Sequence, residues 1–457
     1  MLGKIQYSGA TLFEQPLSEV LNSNKPLYQL ANKIDWDFIE ENLSKFYSKK
    51  GRPSHPIRLM AGLLILKSLR DLSDETLVDE QWEENGFYQY FCGAEFYQTS
   101  KPCASSDLVH FRKRIGEQGV KIILKASVDI HDKPLDSKDE IAYADTTVQE
   151  KNITFPTDAK LHKKVIDKCN KIAKKEGIKL KNNFKKKSQK LLQSQHNRNH
   201  PKRREQATIA SKELKRIAGV IVRDLERKLT TEKHTEDIEI FKKILLQEKS
   251  SKNKIYSIHE PDIHCIGKGK AHKKYEFGSK FGILWSQSRG IILSGFDSRN
   301  QYDGHSLNGL VENYYEINDT PLKEIYCDRG YRGAKIENTI IQTPKPPLKR
   351  DSESARRKKR KHFRARAGIE PVISHLKHDF RMGINFLKGK IGDAINGLMA
   401  CAAFNFKKWM KSFSFAHFYD LKIALKSIIF YKNIIKMCSF SDCKTFNKST
   451  EKLKMNY

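Results

Sequence analysis

The sequence lacks the patterns that define several common classes of protein. Its eight cysteines form no CxxC pair and no other metal-ligand spacing, which is typical of free thiols in a reducing compartment. It has no GxxxxGK(S/T) phosphate loop and no serine nucleophile elbow, and the His-Glu pair at residues 259–260 lacks the second histidine of a zinc-binding helix. We therefore do not expect P-loop hydrolysis, serine-hydrolase chemistry or zinc-protease chemistry.

Long hydrophobic runs are also missing. The longest, at residues 63–66 with its neighbours, is far shorter than the roughly 20 apolar residues that cross a bilayer. The pattern at the N-terminus does not resemble a signal peptide. We expect a cytoplasmic protein without a membrane partner.

Negative charge is scarce relative to positive charge. The 457 residues include 85 Lys and Arg against 54 Asp and Glu, which gives a formal net charge of +31. Such an excess favours a polyanionic partner, and nucleic acid suits a chain with this much strand-like sequence better than a membrane surface does.

The periodicity of the apolar residues changes along the chain. Residues 1–137 have helical spacing, so we expect a helical, DNA-binding domain there; a bundle that only packs on its neighbour is the alternative. Residues 138–411 mix strand and helix patterns, which predicts an α/β domain with a mixed sheet flanked by helices. Residues 412–457 are expected to form a helical or poorly ordered tail.

Within the α/β domain, short apolar runs bounded by turn residues predict the strands. A turn at residues 288–290 predicts a hairpin between the strands on either side of it. Helices are predicted at residues 303–315 and 394–409. The predicted strands are residues 141–148, 254–258, 275–278, 280–285, 291–296, 324–328 (followed by a glycine turn to residue 331) and 340–342.

A lysine-rich insertion interrupts this domain at residues 159–254. It carries 29 basic and 11 acidic side chains, and its pattern predicts a long helical hairpin with its turn near residues 193–204. We expect the insertion to contact DNA; a solvated face is the other interpretation of so basic a run.

Three carboxylates lie where a metal site needs them. Asp145 is central in an apolar strand, where an unbalanced charge is unfavourable, and Asp328 follows a second strand. Glu370 begins a late helix. Two or three carboxylates suffice for Mg²⁺, which keeps open positions for water and phosphate. Asp297 and Asp303 also lie at a strand end and a turn, where capping is the better explanation.

The segment around Glu370 is the most informative of the chain, because a carboxylate has no use in a purely phosphate-binding surface. We expect Glu370 to hold a divalent metal, while Arg366 and Lys377 hold the nucleic acid that is attacked. With Phe363, these positions share one face of a continuous helix. Pro371 instead favours a helix that starts near Glu370 and leaves Arg366 on the approach.

These motifs resemble those of the DDE transposases of bacterial insertion sequences, specifically the insertion-sequence-five group. The matching segments are Ala-Asp-Thr-Thr-Val-Gln around Asp145, Cys-Asp-Arg-Gly-Tyr around Asp328 and Arg-x3-Glu-x6-Lys around Glu370. Segments 105–114 and 259–278 are similar to that group as well, and the resemblance covers about residues 10–410. It implies an RNase H-like catalytic core that cleaves the terminal inverted repeats of its element and transfers the strands into double-stranded target DNA.

The resemblance also implies roles for particular residues. Asp145, Asp328 and Glu370 would hold two Mg²⁺ ions, with Mn²⁺ as a substitute, and Arg366 and Lys377 would hold DNA phosphates. We also expect Phe363, Arg329 and Lys270 to contact nucleic acid, although Phe363 replaces the tyrosine of the related signature.

A nucleoid-associated homodimer on DNA is expected, since two element ends must be paired. Two alternatives stay open at this point. One is an RNase H-like nuclease or resolvase that cuts without joining, and the other is a catalytically inactive DNA-binding protein descended from a transposase.

Overall fold

The computed structural model describes the greater part of the chain between residues 15 and 413. Two features singled out in the sequence lie outside the described residues: Lys270, and the predicted tail from residue 414 onward. The described ranges are residues 15–131, 141–230, 232–248, 250–267, 273–286, 288–297, 302–318, 321–345 and 351–413.

The N-terminal part is helical and is built around one buried helix. Helix α4 buries most of its side chains because apolar residues occupy all of its faces, and helices α3, α6 and α7 pack against it. A π-helical turn, Thr76–Gln81, precedes α5. The helices are α1 (Leu17–Val20), α2 (Pro26–Lys33), α3 (Trp36–Ser44), α4 (Ile57–Leu69), α5 (Trp82–Glu84), α6 (Gly86–Phe91) and α7 (Ser105–Asp129).

A buried ion cluster ties α7 to α4. The Arg112 guanidinium, 5% exposed, donates to both carboxylate oxygens of Asp74 at 2.9 and 2.6 Å, and Lys67 Nζ lies 2.7 Å from the same carboxylate. Burial, together with the charge of Arg112, lowers the pKa of Lys67 to about 8. The side chains of Arg112 and Lys67 therefore share the Asp74 carboxylate at a site with little access to water.

The insertion is a unit of four helices with a hydrophobic core separate from that of the sheet. The predicted turn is present at residues 194–200, where it joins α9 to α10. The prediction of one long hairpin is wrong, because the apolar residues of four segments share this core. The helices are α8 (Asp158–Lys175), α9 (Lys185–Gln193), α10 (Pro201–Lys228) and α11 (Thr235–Leu246).

The predicted strand at residues 254–258 is also absent. The apolar side chains of Ile255 and Ile258 pack into the core of the insertion and not against the sheet. The backbone N–H of Ile255 donates to the side chain of Gln247, and the side-chain amide of Gln247 donates to its carbonyl, so this backbone does not pair with a strand.

The remaining elements form the sheet and its helices. Residues 275–286 form one strand where two were predicted, and the predicted hairpin follows it. The strands are β1 (Ile141–Lys151), β2 (His264–Gly267), β3 (Tyr275–Ser286), β4 (Ile291–Asp297), β5 (Glu324–Tyr326), β6 (Ile340–Gln342) and β7 (Ile384–Asn385). The helices are α12 (Asp303–Ile317), α13 (Glu353–Arg366), α14 (Ile369–Asp379) and α15 (residues 389–413).

The sheet is mixed, and β1 lies at its centre. Its order is β2-β3-β1-β5-β6, with β4 paired to β3 and β7 paired to β1; β1 runs antiparallel to β3 and parallel to β5. Neighbouring residues of a strand face opposite sides of a sheet. Gly282 faces Leu310 of α12, whereas the Phe281 ring lies against Gly397 of α15. Helices therefore cover both faces, which is the mixed α/β architecture that the sequence predicts.

Within the described ranges, no helix combines the length and the hydrophobicity that a membrane span requires.

Replacing Asp74 with alanine should lower the free energy of unfolding by about 3–5 kcal/mol, because the change leaves buried cations without their counter-charge. Urea denaturation measures this loss. Asp79→Ala is the matched control: its ion pair with Lys101 is exposed, so we expect less than about 1 kcal/mol there. Equal losses in the two variants would contradict the structural role of the buried cluster.

Candidate active site

The pairing of β1 with β5 brings two of the predicted carboxylates to the same end of a strand pair. The parallel register aligns Ile141 with Glu324 and Tyr143 with Tyr326. The pairing ends there, two residues before Asp145, which continues in β1, and Asp328, which follows the end of β5. Both aspartates therefore follow the same end of two strands whose backbones are about 4.8 Å apart where they pair.

Asp145 is balanced by a cation from a distant part of the chain. Arg366 Nη1 lies 3.3 Å from Asp145 Oδ2, and both side chains are 19% exposed. The other oxygen, Oδ1, accepts a hydrogen bond from the backbone N–H of Thr146 at 2.8 Å. The guanidinium thus offsets the negative charge that the apolar surroundings of β1 would otherwise penalise.

Glu370 lies in the first turn of α14, immediately after a break in the helix. Helix α13 ends at Arg366 and α14 begins at Ile369, so the predicted helix start near Glu370 is confirmed and the continuous helix is not. The break packs closely against the sheet, because a Cβ on Gly368 would lie 3.0 Å from the ring of Trp285. Trp285 pairs with Tyr143 of β1. The Glu370 carboxylate is exposed.

The other predicted nucleic-acid contacts lie around this region. Arg329 is exposed directly after Asp328, and Lys377 is half-buried about two turns beyond Glu370 on α14. Phe363 is partly buried, and its ring packs edge-on against Tyr326 at 5.4 Å. That contact attaches α13 to the end of β5. Contact of these three residues with nucleic acid stays a prediction.

The sequence reasoning missed Asp303. Capping was the expected explanation, but α12 has Tyr302 at its N-cap without a side-chain cap bond. Asp303 Oδ1 instead accepts from the Thr146 hydroxyl at 2.9 Å and lies 3.4 Å from Lys280 Nζ. The capping interpretation is therefore wrong for Asp303, because β1 and β3 offer its carboxylate better donors. Asp303 is far from Asp145 and Thr146 in the sequence, so no local pattern indicated its contact with Thr146.

A glycine keeps open the space between Asp303 and Asp328. Asp328 Oδ1 accepts from the Gly330 N–H at 2.8 Å. A Cβ on Gly330 would lie 3.0 Å from that oxygen and 3.2 Å from Asp303 Oδ2. Since both oxygens lie near this one point, they are about 6 Å apart or less.

Tyr331, three residues after Asp328, is buried and carries a hydroxyl on which these carboxylates act electrostatically. The residue is 1% exposed, and its hydroxyl has no hydrogen-bond partner among the described residues. Burial raises the pKa of Tyr331 well above its usual value, and the neighbouring Cys327 and the charges of Asp145, Asp303 and Asp328 raise it further. The three aspartates therefore act on one buried hydroxyl.

Two family descriptions match the chain. Residues 15–114 match a family described as "Transposase domain (DUF772)", and residues 250–406 match one described as "Transposase DDE domain". These two matches define the class of protein. The chain belongs to the DDE transposases, which are enzymes that act on DNA.

A curated protein is similar over part of the chain. It is the "Uncharacterized protein ORF8 in nfe locus" of Rhizobium meliloti, 41% identical over 176 residues, which are 38% of this chain and 84% of that protein. No solved structure matches the chain.

Members of the DDE family typically use divalent metal ions. The donors fit such ions chemically, because Asp145, Asp303 and Asp328 supply the oxygen ligands that Mg²⁺ prefers, and Gly330 leaves room between two of them. Within the described part of the chain, however, no three His, Cys, Asp or Glu side chains are grouped closely enough to ligate one ion. Convergence of three carboxylates on a metal therefore stays a prediction.

Replacing Gly330 with alanine should lower the free energy of unfolding by about 1–3 kcal/mol, because its methyl group would press on two carboxylates. The loss is measured by urea denaturation. Gly267→Ala is the matched control, since a Cβ there meets no atom within 4 Å. Similar stability of the two variants would show that the space over Gly330 is not constrained.

Proposed function

We propose that this transposase belongs to the insertion-sequence-five group, cleaves the terminal inverted repeats of its element and transfers the strands into target DNA. The proposal includes an RNase H-like catalytic core. Its main support is that Asp145 on β1 and Asp328 after β5 follow the same end of a parallel strand pair, while Arg366 lies 3.3 Å from Asp145 and Gly368 packs against the same sheet.

Each part of the chain has a proposed role. Residues 1–137 form a DNA-binding domain, residues 138–411 form the catalytic domain with the insertion at residues 159–254, and residues 412–457 form a tail. The protein acts in the cytoplasm at the nucleoid, as a homodimer that pairs two element ends. The transposase-domain match at residues 15–114 supports the first of these assignments.

Asp145, Asp328 and Glu370 would hold two Mg²⁺ ions, or Mn²⁺ in their place. When bound, such ions activate the attacking oxygen and stabilise the leaving one during phosphodiester exchange. Asp145 and Asp328 each come two residues after the last β1–β5 pair, which supports their nearness. Glu370 lies in the first turn of α14, two residues after Gly368, which packs against Trp285.

Arg366 would serve both the carboxylate and the DNA. At 3.3 Å from Asp145 Oδ2 it neutralises that residue in the absence of substrate, and its guanidinium also suits a phosphate group. Arg329 directly follows Asp328 in the sequence, and Lys377 lies on the same helix as Glu370. There they would hold neighbouring phosphates. Phe363 supports this surface by packing on Tyr326.

The insertion offers a second surface for DNA, formed by residues 185–204. This surface, the insert tip, carries exposed cations along α9 and at the start of α10. No acidic residue occurs in the sequence between Glu176 and Glu205. Amide and imidazole side chains line a cleft of about 850 Å³ there, including those of Gln193, His196 and Asn199. Such a surface fits a phosphate backbone with polar groups beside it.

Alanine at Asp145, Asp328 or Glu370 should abolish cleavage and joining, by about three orders of magnitude or more, while end binding changes little. The assay uses DNA bearing the element's inverted repeats, a target plasmid and Mg²⁺, and it scores cut and joined products separately. Glu353→Ala is the matched control for Glu370→Ala, because both are first-turn glutamates of consecutive helices.

Each outcome of this assay decides between the proposed function and its rivals. Cut products without joined ones would indicate a nuclease or resolvase. Binding without any magnesium-dependent cutting by the wild-type chain would indicate an inactive DNA-binding descendant. Strand transfer retained in Asp328→Ala would remove the catalytic assignment of that residue.

Neutralising three cations of the insert tip should lower the affinity for DNA and make that affinity less dependent on salt concentration. For K186Q/K190Q/R203Q, the slope of log Kd against log salt should fall by about 2.7, if all three cations release counterions from double-stranded DNA. Fluorescence anisotropy at several salt concentrations measures the slope. The control K171Q/K174Q/K175Q removes three exposed lysines near the end of α8, outside residues 185–204. Equal slopes in the two triple variants would exclude the tip as a DNA contact.

A further inference from the structure

Asp303 is held against the strand that carries Asp145. Its Oδ1 accepts from the hydroxyl of Thr146, the residue after Asp145, at 2.9 Å. Lys280 of β3, which pairs with Val148 of β1, lies 3.4 Å from the same oxygen. These two donors fix one oxygen of the carboxylate and leave the other directed away from them.

The other oxygen faces Asp328. Asp303 Oδ2 and Asp328 Oδ1 flank the point that a side chain on Gly330 would occupy, at 3.2 and 3.0 Å. Among the described residues, no basic side chain lies within ion-pair distance of Asp328, whose carboxylate accepts only from backbone there. Two carboxylates this close repel each other, so the gap between them favours a cation.

A separate observation also indicates a missing ligand at this place. The Tyr331 hydroxyl is buried in a residue that is 1% exposed, and it has no partner among the described residues. A buried hydroxyl is normally satisfied, by protein or by an ordered water. The charges of Asp145, Asp303 and Asp328 all act on it, so a hydrated cation between these aspartates would supply the partner.

We propose that Asp303 is a fourth acidic residue of the active site, which binds the divalent cation together with Asp328 across the gap over Gly330. This inference rests on the proposed function, because it takes Asp328 as a metal ligand. It differs from the three-carboxylate assignment in giving α12 a direct part in the site. Thr146 and Lys280 then act as positioning residues that orient Asp303.

Metal binding by the full-length protein tests the proposal without relying on activity. Asp303→Asn keeps the size of the side chain and an acceptor for Thr146, and it should weaken Mn²⁺ affinity by about 10-fold or more. The affinity is measured from the electron paramagnetic resonance signal of free Mn²⁺. Asp158→Asn is the matched control, since Asp158 is likewise a first-turn aspartate, on α8, and is exposed. Its affinity should equal that of the wild type.

Cleavage at varied Mg²⁺ separates ligation from a merely structural role. Asp303→Asn should need about 10-fold more Mg²⁺ for half-maximal rate and recover much of the rate at saturation. A rate loss that Mg²⁺ does not relieve would overturn the proposal, as would wild-type Mn²⁺ affinity. Asp328→Asn distinguishes the two failures. If it weakens Mn²⁺ binding and Asp303→Asn does not, only the fourth residue is refuted; if neither does, the proposed metal site fails.

Discussion

The parallel pairing of β1 with β5 is the constraint on which the rest of the site depends. The hydrogen bonds that align Tyr143 with Tyr326 end two residues before Asp145 and Asp328, so a shift in this register would move the two aspartates relative to each other. Like charges held together at the sheet centre are poorly screened and raise the energy of the folded state. Arg366 and Lys280, which come from other elements, offset part of this repulsion.

The parts of the site that the sequence could predict are those with a local pattern. A charged residue inside an apolar strand needs a partner, and this argument identified Asp145 before any contact was known. Pro371 correctly placed the start of α14 beside Glu370, because proline is accepted in a first turn and costly later. The hairpin from β3 to β4 followed in the same way from its turn residues.

The failures share a physical cause, which is that tertiary contacts gave a local pattern another meaning. Ile255 and Ile258 look like a strand because they fill a helical core, which one sequence cannot distinguish from sheet packing. Asp303 looks like a helix cap, and only the folded chain brings it to Thr146. The insertion has a core of its own, so its helices are not determined by the sheet that they interrupt.

On the proposed assignment, Arg366 links DNA binding to metal binding. Its guanidinium contacts Asp145 in the free protein, and a DNA phosphate would compete for the same donors. As the phosphate takes over the guanidinium, the negative charge of Asp145 becomes less compensated, and the affinity of the site for a cation rises. Thermodynamic linkage then requires that a bound cation favour DNA binding by the same factor. The ion pair thus keeps the charge of Asp145 compensated until the DNA substrate arrives.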